Sequence, residues 1–378
     1  MRPVPHSNRR DFLLASAGLG LGAVTHASAA RAPRLPQGDG KRLLVLGGTR
    51  FLGPQIVRNA LEAGWEVTLF NRGKSNPHLF PELEKLVGDR NESHDALKNG
   101  EWDAAIDTSG YIPHHVLEAC EVLKDRCGHY VFVSTLSVYE SGQEGVLDEE
   151  APVGQVEPDK MEEFQVIGDI RKFGMRYYGP LKALCEEAAE SAMPGRVSNV
   201  RPGLIVGPED STDRFTYWPV RVNQGGEVLA PGDPDVGIQV IDVRDLGTFC
   251  FHLARERTPG VLNAVGFEGQ ITMQELLHGA KLVTGADCTF TWVPDDFLLA
   301  QSVGPWMELP LWIPGGGNVY DNRRAFDAGM KLSPLGDTIR VTLDWHLAER
   351  GPDYTWRGAG LAAEKEAKVL AAWHEQNG

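Results

Sequence analysis

The sequence predicts an α/β protein: a doubly wound parallel sheet followed by a smaller mixed α/β region. Three observations carry that expectation. From Lys41 onward, short apolar runs alternate with stretches of helical spacing. A glycine cluster stands directly between the first apolar run and the first helical stretch. After Arg201-Pro202-Gly203 the pattern becomes less regular and richer in Pro, Gly and aromatic residues.

Taken in order, Leu43-Leu44-Val45-Leu46 is an unbroken apolar run ending in glycines, as a strand buried on both faces requires. Residues 54–63 place Ile56, Val57, Ala60 and Leu61 on one helical stripe, and Gly64 stops it. Residues 67–70 form the next strand. Residues 85–89, 104–107 and 130–133 supply three more, with a helix expected over 115–125 and another over 183–192. In the tail, Leu361, Val369, Leu370 and Trp373 are spaced for a surface helix over 360–376. The expected organisation is an address at 1–29, a linker at 30–40 and a first domain at 41–203. A second region at 204–350 interleaves with the first, and a helical tail occupies 351–378.

Charge and cysteine content narrow the function. The formal net charge is −15, and without residues 1–29 it is −17. Such a field repels a phosphate backbone, so nucleic acid is not an expected partner. Cys120, Cys127, Cys185, Cys250 and Cys288 show neither CxxC spacing nor disulfide density. They read as buried thiols, with a Cys120–Cys127 bridge the alternative in an oxidising compartment, and no metal is expected.

The first thirty residues have a targeting layout. Ser7-Asn8-Arg9-Arg10-Asp11-Phe12-Leu13 precedes a moderately apolar run over 14–24 and a small-x-small site ending at Ala29. Charged, apolar and small regions in that order read as a cleaved signal and not a membrane span. The paired arginines resemble a twin-arginine export signal, which implies the export machinery as a partner and a periplasmic or exported mature chain. That route carries folded proteins, so a bound cofactor would travel with the chain. Redox-neutral chemistry or a coupled two-substrate cycle then suits a compartment without a free nicotinamide pool.

Gly47-Gly48-Thr49-Arg50-Phe51-Leu52-Gly53 follows the first strand and opens a helix. Glycines there let the backbone approach a pyrophosphate, and the helix N-terminus offers unpaired N–H groups. With this motif the chain resembles the extended short-chain dehydrogenase/reductases, the epimerase/dehydratase family, whose fold is Rossmann-like. The family turn reads Gly-x-x-Gly-x-x-Gly; Gly47 and Gly53 match its outer positions and Arg50 replaces the middle glycine. Arg50 either faces solvent or neutralises a phosphate itself. On the second strand Asn71-Arg72-Gly73-Lys74 stands where an acidic residue would hold the ribose of NAD. NAD or NADP is therefore the expected cofactor, with a lean to NADP. Asp89 resembles the family residue that reads the adenine amine.

Tyr178-Gly179-Pro180-Leu181-Lys182 matches the family's Tyr-x-x-x-Lys pattern. One turn apart, both side chains project from one helix face. The resemblance makes Tyr178 the acid/base and Lys182 its partner, the ammonium lowering the phenol pKa. Thr135, in Ser134-Thr135-Leu136-Ser137-Val138-Tyr139, occupies the position of the hydroxyl that holds the reacting oxygen, with Ser137 as the fallback. The bland alternative is that these hydroxyls satisfy strand-end backbone groups. Leu136-Ser137 replaces the Asp-Glu pair of family dehydratases, which disfavours elimination chemistry. Thr135 and Tyr178 lie 43 positions apart, more than in the family, because of an insertion over 142–174. It is a lid, a partner surface or a tolerated loop.

Pro202, ending the sixth strand, resembles the family residue that touches the nicotinamide amide. Gln239 stands near the arginine that grips a nucleotide diphosphate in relatives, which weakens the case for a nucleotide-sugar. Tyr217, Trp218, Trp306 and Trp312 are either sugar-stacking or core aromatics, and Arg214 is either a substrate donor or a solvated charge. The expected function is an epimerase or oxidoreductase acting on a secondary alcohol of a small carbohydrate-like substrate, with cofactor retained. The alternatives are an NADPH-consuming carbonyl reductase and a non-catalytic binding protein on the same fold. The resemblance also implies a homodimer.

Overall fold

The computed structural model describes residues 40–267, 269–351 and 354–377. Residues 1–29, expected to be an export signal, and nearly all of the expected linker lie outside the described residues. Seven strands form the main sheet: β1 (Arg42–Leu46), β2 (Glu66–Asn71), β3 (Glu84–Val87), β4 (Ala104–Asp107), β5 (Tyr130–Val133), β6 (Val197–Pro202) and β7 (Gly260–Ala264). Their order is β3-β2-β1-β4-β5-β6-β7, and every pairing is parallel.

Why the first strand carries four apolar residues in a row is visible in the packing. Leu43 and Val45 enter one core with Ile56, Val57 and Phe249, while Leu44 and Leu46 enter another with Val116, Cys120 and Phe132. Successive side chains alternate faces, so a sheet covered on both sides needs apolar residues at every position. Helices α1 (Leu52–Glu62) and α4 (Val243–Glu256) pack together over the first face. Helices α2 (Pro113–Leu123) and α3 (Tyr178–Ala192) pack together over the second. Helix α3 begins five residues before the expected stretch, so Tyr178 is its first residue.

The chain departs from the sheet after β6 and returns to it at β7. Between and beyond these strands it builds a second core, with Tyr217, Trp218, Leu276, Trp312 and Ile339 at its centre. Small strand pairs frame this region, including Leu204–Val206 with Val240–Asp242 and Gly226–Pro231 with Cys288–Val293, both parallel. The tail helix Ala363–Asn377 docks Val369 and Leu370 onto the same core. All five cysteines are buried and free, so the alternative Cys120–Cys127 bridge is absent. Among the described residues, no helix is long and apolar enough to cross a membrane.

Candidate active site

The crevice between β1 and β4 is where the strand order reverses direction, and the glycine turn lies at its mouth. Gly47 and Gly48 adopt φ values of +112° and +84°, in the region that side chains rarely tolerate. A Cβ on Gly47 would collide with the Thr108 hydroxyl, and one on Gly53 would lie 2.6 Å from the Gly48 backbone. The turn is tied down by the Asn71 amide, which donates to the Gly47 carbonyl at 3.0 Å, and by Asn76, which donates to that of Thr49 at 2.8 Å. No side chain caps α1 at Phe51; of its first three residues Pro54 has no N–H and the Gly53 N–H donates to the Arg50 carbonyl at 2.9 Å, which leaves the Leu52 N–H to face a ligand. A bare backbone cradle backed by an uncapped helix fits a dinucleotide pyrophosphate.

Asn71 thus has a role the sequence did not suggest. Its amide is spent on Gly47 and its carbonyl oxygen accepts from Gly73 N at 2.8 Å, so it shapes the turn. Arg72 and Lys74 are exposed beside it. Arg72 lies 4.0 Å from Asp89, whose carboxylate also accepts from Asn91. Thr49 and Leu52 are buried and Arg50 is exposed; burial raises the Tyr111 phenol, and Arg50 is near enough for its charge to oppose that shift.

Two strands away from β1, α3 presses on the loop after β5. A Cβ on Gly179 would overlap the Ser137 carbonyl, so glycine permits the approach that sets Tyr178 beside this loop. A buried pair locks the arrangement: Glu186 of α3 meets Arg201 of β6 at 2.7 Å and accepts a hydrogen bond from Ser134. Thr135 Oγ1 accepts from Ser137 N at 3.1 Å and donates to Ser137 Oγ at 3.2 Å. Both hydroxyls therefore have local partners, and together they form one polar group facing Tyr178.

The expected electrostatics need correction. Burial pushes the Tyr178 phenol up to about 12, the neighbouring Tyr111 adds to this, and Thr135 and then Arg214 oppose it. Lys182 does not aim its ammonium at the phenol. It donates to the carbonyls of Gly110 at 2.6 Å and Val133 at 2.7 Å, over the Phe132 ring. Burial lowers its own pKa to about 8. One of its three N–H donors remains for a ligand hydroxyl.

Several residues that sequence reasoning missed line this edge. Tyr111 sits with its ring 6.5 Å from that of Tyr178. Asp107, fully buried at the end of β4, is held by Arg90 at 2.6 Å and by the Tyr130 hydroxyl at 2.6 Å. An aspartate closing an apolar strand was the available signal for that pair; nothing marked Tyr111. The insertion also finds its place. Its Val156, Phe164 and Ile170 form an apolar cluster with Ile112 and Leu181, against which Tyr111 and Tyr178 pack.

Of the four aromatics that the sequence offered for stacking on a substrate, Tyr217, Trp218 and Trp312 are buried in the second core and cannot stack on a ligand. Trp306 is half-buried, with the Arg214 guanidinium 5.7 Å from its ring centre. Pro202 is buried at the end of β6, paired with Ala264. Gln239 is half-buried, and its Oε1 has no hydrogen-bond partner.

No family model matches the chain. A Synechocystis protein named "Putative dihydroflavonol 4-reductase" is 24% identical over 337 residues, covering 77% of this chain and 88% of that protein. The chloroplast stem-loop binding protein of 41 kDa b from Arabidopsis thaliana is 30% identical over 116 residues, covering 26% of this chain and 30% of that one. Among solved structures, the UDP-glucuronic acid 4-epimerase from Bacillus cereus in complex with NAD has a TM-score of 0.59 at 13% identity. That match covers 83% of this chain and 99% of the other. The human epimerase family protein SDR39U1 with NADPH has a TM-score of 0.54 at 20% identity, over 80% of this chain and 99% of the other. The chain has a Rossmann-like fold, the fold these solved structures share. Within that fold, the glycine turn follows β1 and the loop beside Tyr178 follows β5, both at the C-terminal ends of interior parallel strands.

Proposed function

We propose that the protein is a nicotinamide-dependent epimerase or oxidoreductase acting on a secondary alcohol of a small carbohydrate-like substrate. One observation carries the reading: the bare glycine cradle and Tyr178, held by the Gly179 approach beside Thr135, lie along the same C-terminal edge of the sheet. A nicotinamide bound there supplies the hydride acceptor or donor. Gly47, Gly48 and Gly53 hold the pyrophosphate, with Thr49 to Leu52 around it. The remaining Lys182 donor takes a ribose hydroxyl. Thr135 or Ser137 fixes the substrate oxygen while Tyr178 takes or returns its proton. The NADP lean rests on Arg72 and Lys74, two exposed cations at the end of the second strand. Asp89 lies at the adenine end and Pro202 at the nicotinamide end of this placement.

The cofactor is retained through the catalytic cycle in this reading, because the export-like residues 1–29 direct the folded chain to the periplasm. The structural relatives named with UDP-sugars do not extend that substrate to this chain. Gln239 offers no charge to a diphosphate, and nucleotide-sugars are cytoplasmic metabolites. Native mass spectrometry of protein purified from the periplasm tests the proposal. The expected species is the chain cleaved after Ala29 with one nicotinamide dinucleotide per subunit, as a homodimer. A cofactor-free chain that oxidises added NADPH with a carbonyl substrate would replace it with the reductase alternative.

A further inference from the structure

Beside Tyr178 lies a cation that the proton transfer does not use. Arg214 stands in the loop leading to the helix Tyr217–Asn223. It is half-buried, not solvated, and its Cζ is 5.7 Å from the Trp306 ring centre. Its Nε donates to Thr212 Oγ1 at 3.0 Å, and that hydroxyl in turn donates to Asp210 at 2.6 Å. The other four N–H groups of the fork have no hydrogen-bond partner among the described residues. Burial raises the Tyr178 phenol and lowers the Arg214 guanidinium from its ordinary value; each charged form opposes the other's shift, so the two groups lie within electrostatic reach of each other.

The loop that presents this fork is fixed. Asp213, with no exposed side-chain surface, pairs with Arg350 and accepts from the Tyr354 hydroxyl at 3.1 Å and Gly358 N at 3.2 Å. The guanidinium is therefore pre-positioned, laid against an aromatic platform, and short of acceptors. Such a fork matches a planar anion in a bidentate manner. A phosphate dianion would bring two charges to one cation with the Asp210 carboxylate close behind it; a carboxylate brings one.

We propose that Arg214, on its Trp306 platform, binds a carboxylate of the substrate, so that the alcohol offered to Tyr178 belongs to a hydroxy acid of the sugar-acid type. This rests on the oxidoreductase reading above and adds a substrate class to it.

Calorimetric titration of the purified, nicotinamide-loaded protein tests the assignment. The probes are D-glucuronate, D-galacturonate, D-gluconate and L-lactate, each beside its neutral amide, together with inorganic phosphate. At least one acid is expected to bind about tenfold or more tightly than its amide, the worth of a charge-assisted hydrogen bond. Arg214→Met is expected to erase that preference while keeping the bound nicotinamide per subunit. Arg214→Lys, which keeps the charge without the fork, is expected to retain part of it. The proposal is overturned if no acid outbinds its amide, if the preference survives in Arg214→Met, or if phosphate binds more tightly than every acid. Failure of the underlying reading has a different signature: protein purified without nicotinamide, or turnover unaffected by Tyr178→Phe.

Discussion

At the scale of single residues, the surroundings of Tyr178 and Lys182 differ from the simple picture of an ammonium acidifying a phenol. Burial holds the phenol protonated, with its pKa at about 12, and the nearest opposing influences are Thr135 and Arg214. Tyr178→Phe is expected to lower turnover by about 10²–10⁴-fold with bound cofactor unchanged, measured by steady-state rates and absorbance. In the direction that oxidises the alcohol, the rate is expected to rise with pH from neutral into the alkaline range, because the phenolate fraction grows below a pKa of about 12. A flat profile would remove Tyr178 as the base. Lys182 is depressed from 10.5 to about 8, so between these values the unfolded chain binds more protons than the folded one. The contribution of this group to stability therefore rises as pH increases through that window. Urea melts of wild type and Lys182→Met at pH 7 and pH 10 are expected to show the difference between them shifting in favour of wild type by roughly 2–3 kcal/mol at the higher pH.

Among elements, the decisive contact is that of helix α3 with the loop after β5. It depends on a residue that has no side chain. Gly179→Ala places a methyl group on the Ser137 carbonyl. The helix must then retreat, at a cost of about 1–3 kcal/mol, and Tyr178, the next residue back, moves with it. Turnover is expected to fall by more than the stability loss alone accounts for, while nicotinamide stays bound at the glycine turn. Activity measured well below the unfolding transition separates the two effects. The insertion belongs to this scale as well, since Val156, Phe164 and Ile170 form the apolar wall behind Tyr111 and Tyr178. It is part of the site's packing and not a loop hung on the surface.

In the whole molecule, the loop that carries Arg214 is anchored from the far end of the chain. Arg350, at the end of the helix Leu335–Glu349, reaches the buried Asp213 and the carbonyl of Asp210, and its guanidinium covers Trp345 and Tyr354. Arg350→Met would leave the buried Asp213 carboxylate without its cation, held by the Tyr354 hydroxyl and Gly358 N alone, a loss of about 3–5 kcal/mol. It is also expected to raise KM several-fold without reducing bound nicotinamide, because Arg214 follows Asp213 directly while the glycine turn is held by separate contacts. Denaturant midpoints and a KM-against-kcat comparison check both parts.

The sequence by itself determined the sheet and the glycine turn. Runs such as Leu43–Leu46 report burial on both faces, and Gly47, Gly48 and Gly53 report a backbone that tolerates no Cβ. These are local requirements written in adjacent residues. Tyr178 and Lys182 were legible for the same reason, one helical turn apart. Only the tertiary structure decided where the Lys182 ammonium points, that Asn71 supports the turn, and that Trp306 differs from Tyr217, Trp218 and Trp312. It also brought Tyr111 to Tyr178 and Asp213 to Arg350, across 67 and 137 positions of chain. Such pairings leave no local periodicity to read. They arise when separate helices and loops compete for the same buried space and the same few hydrogen-bond partners.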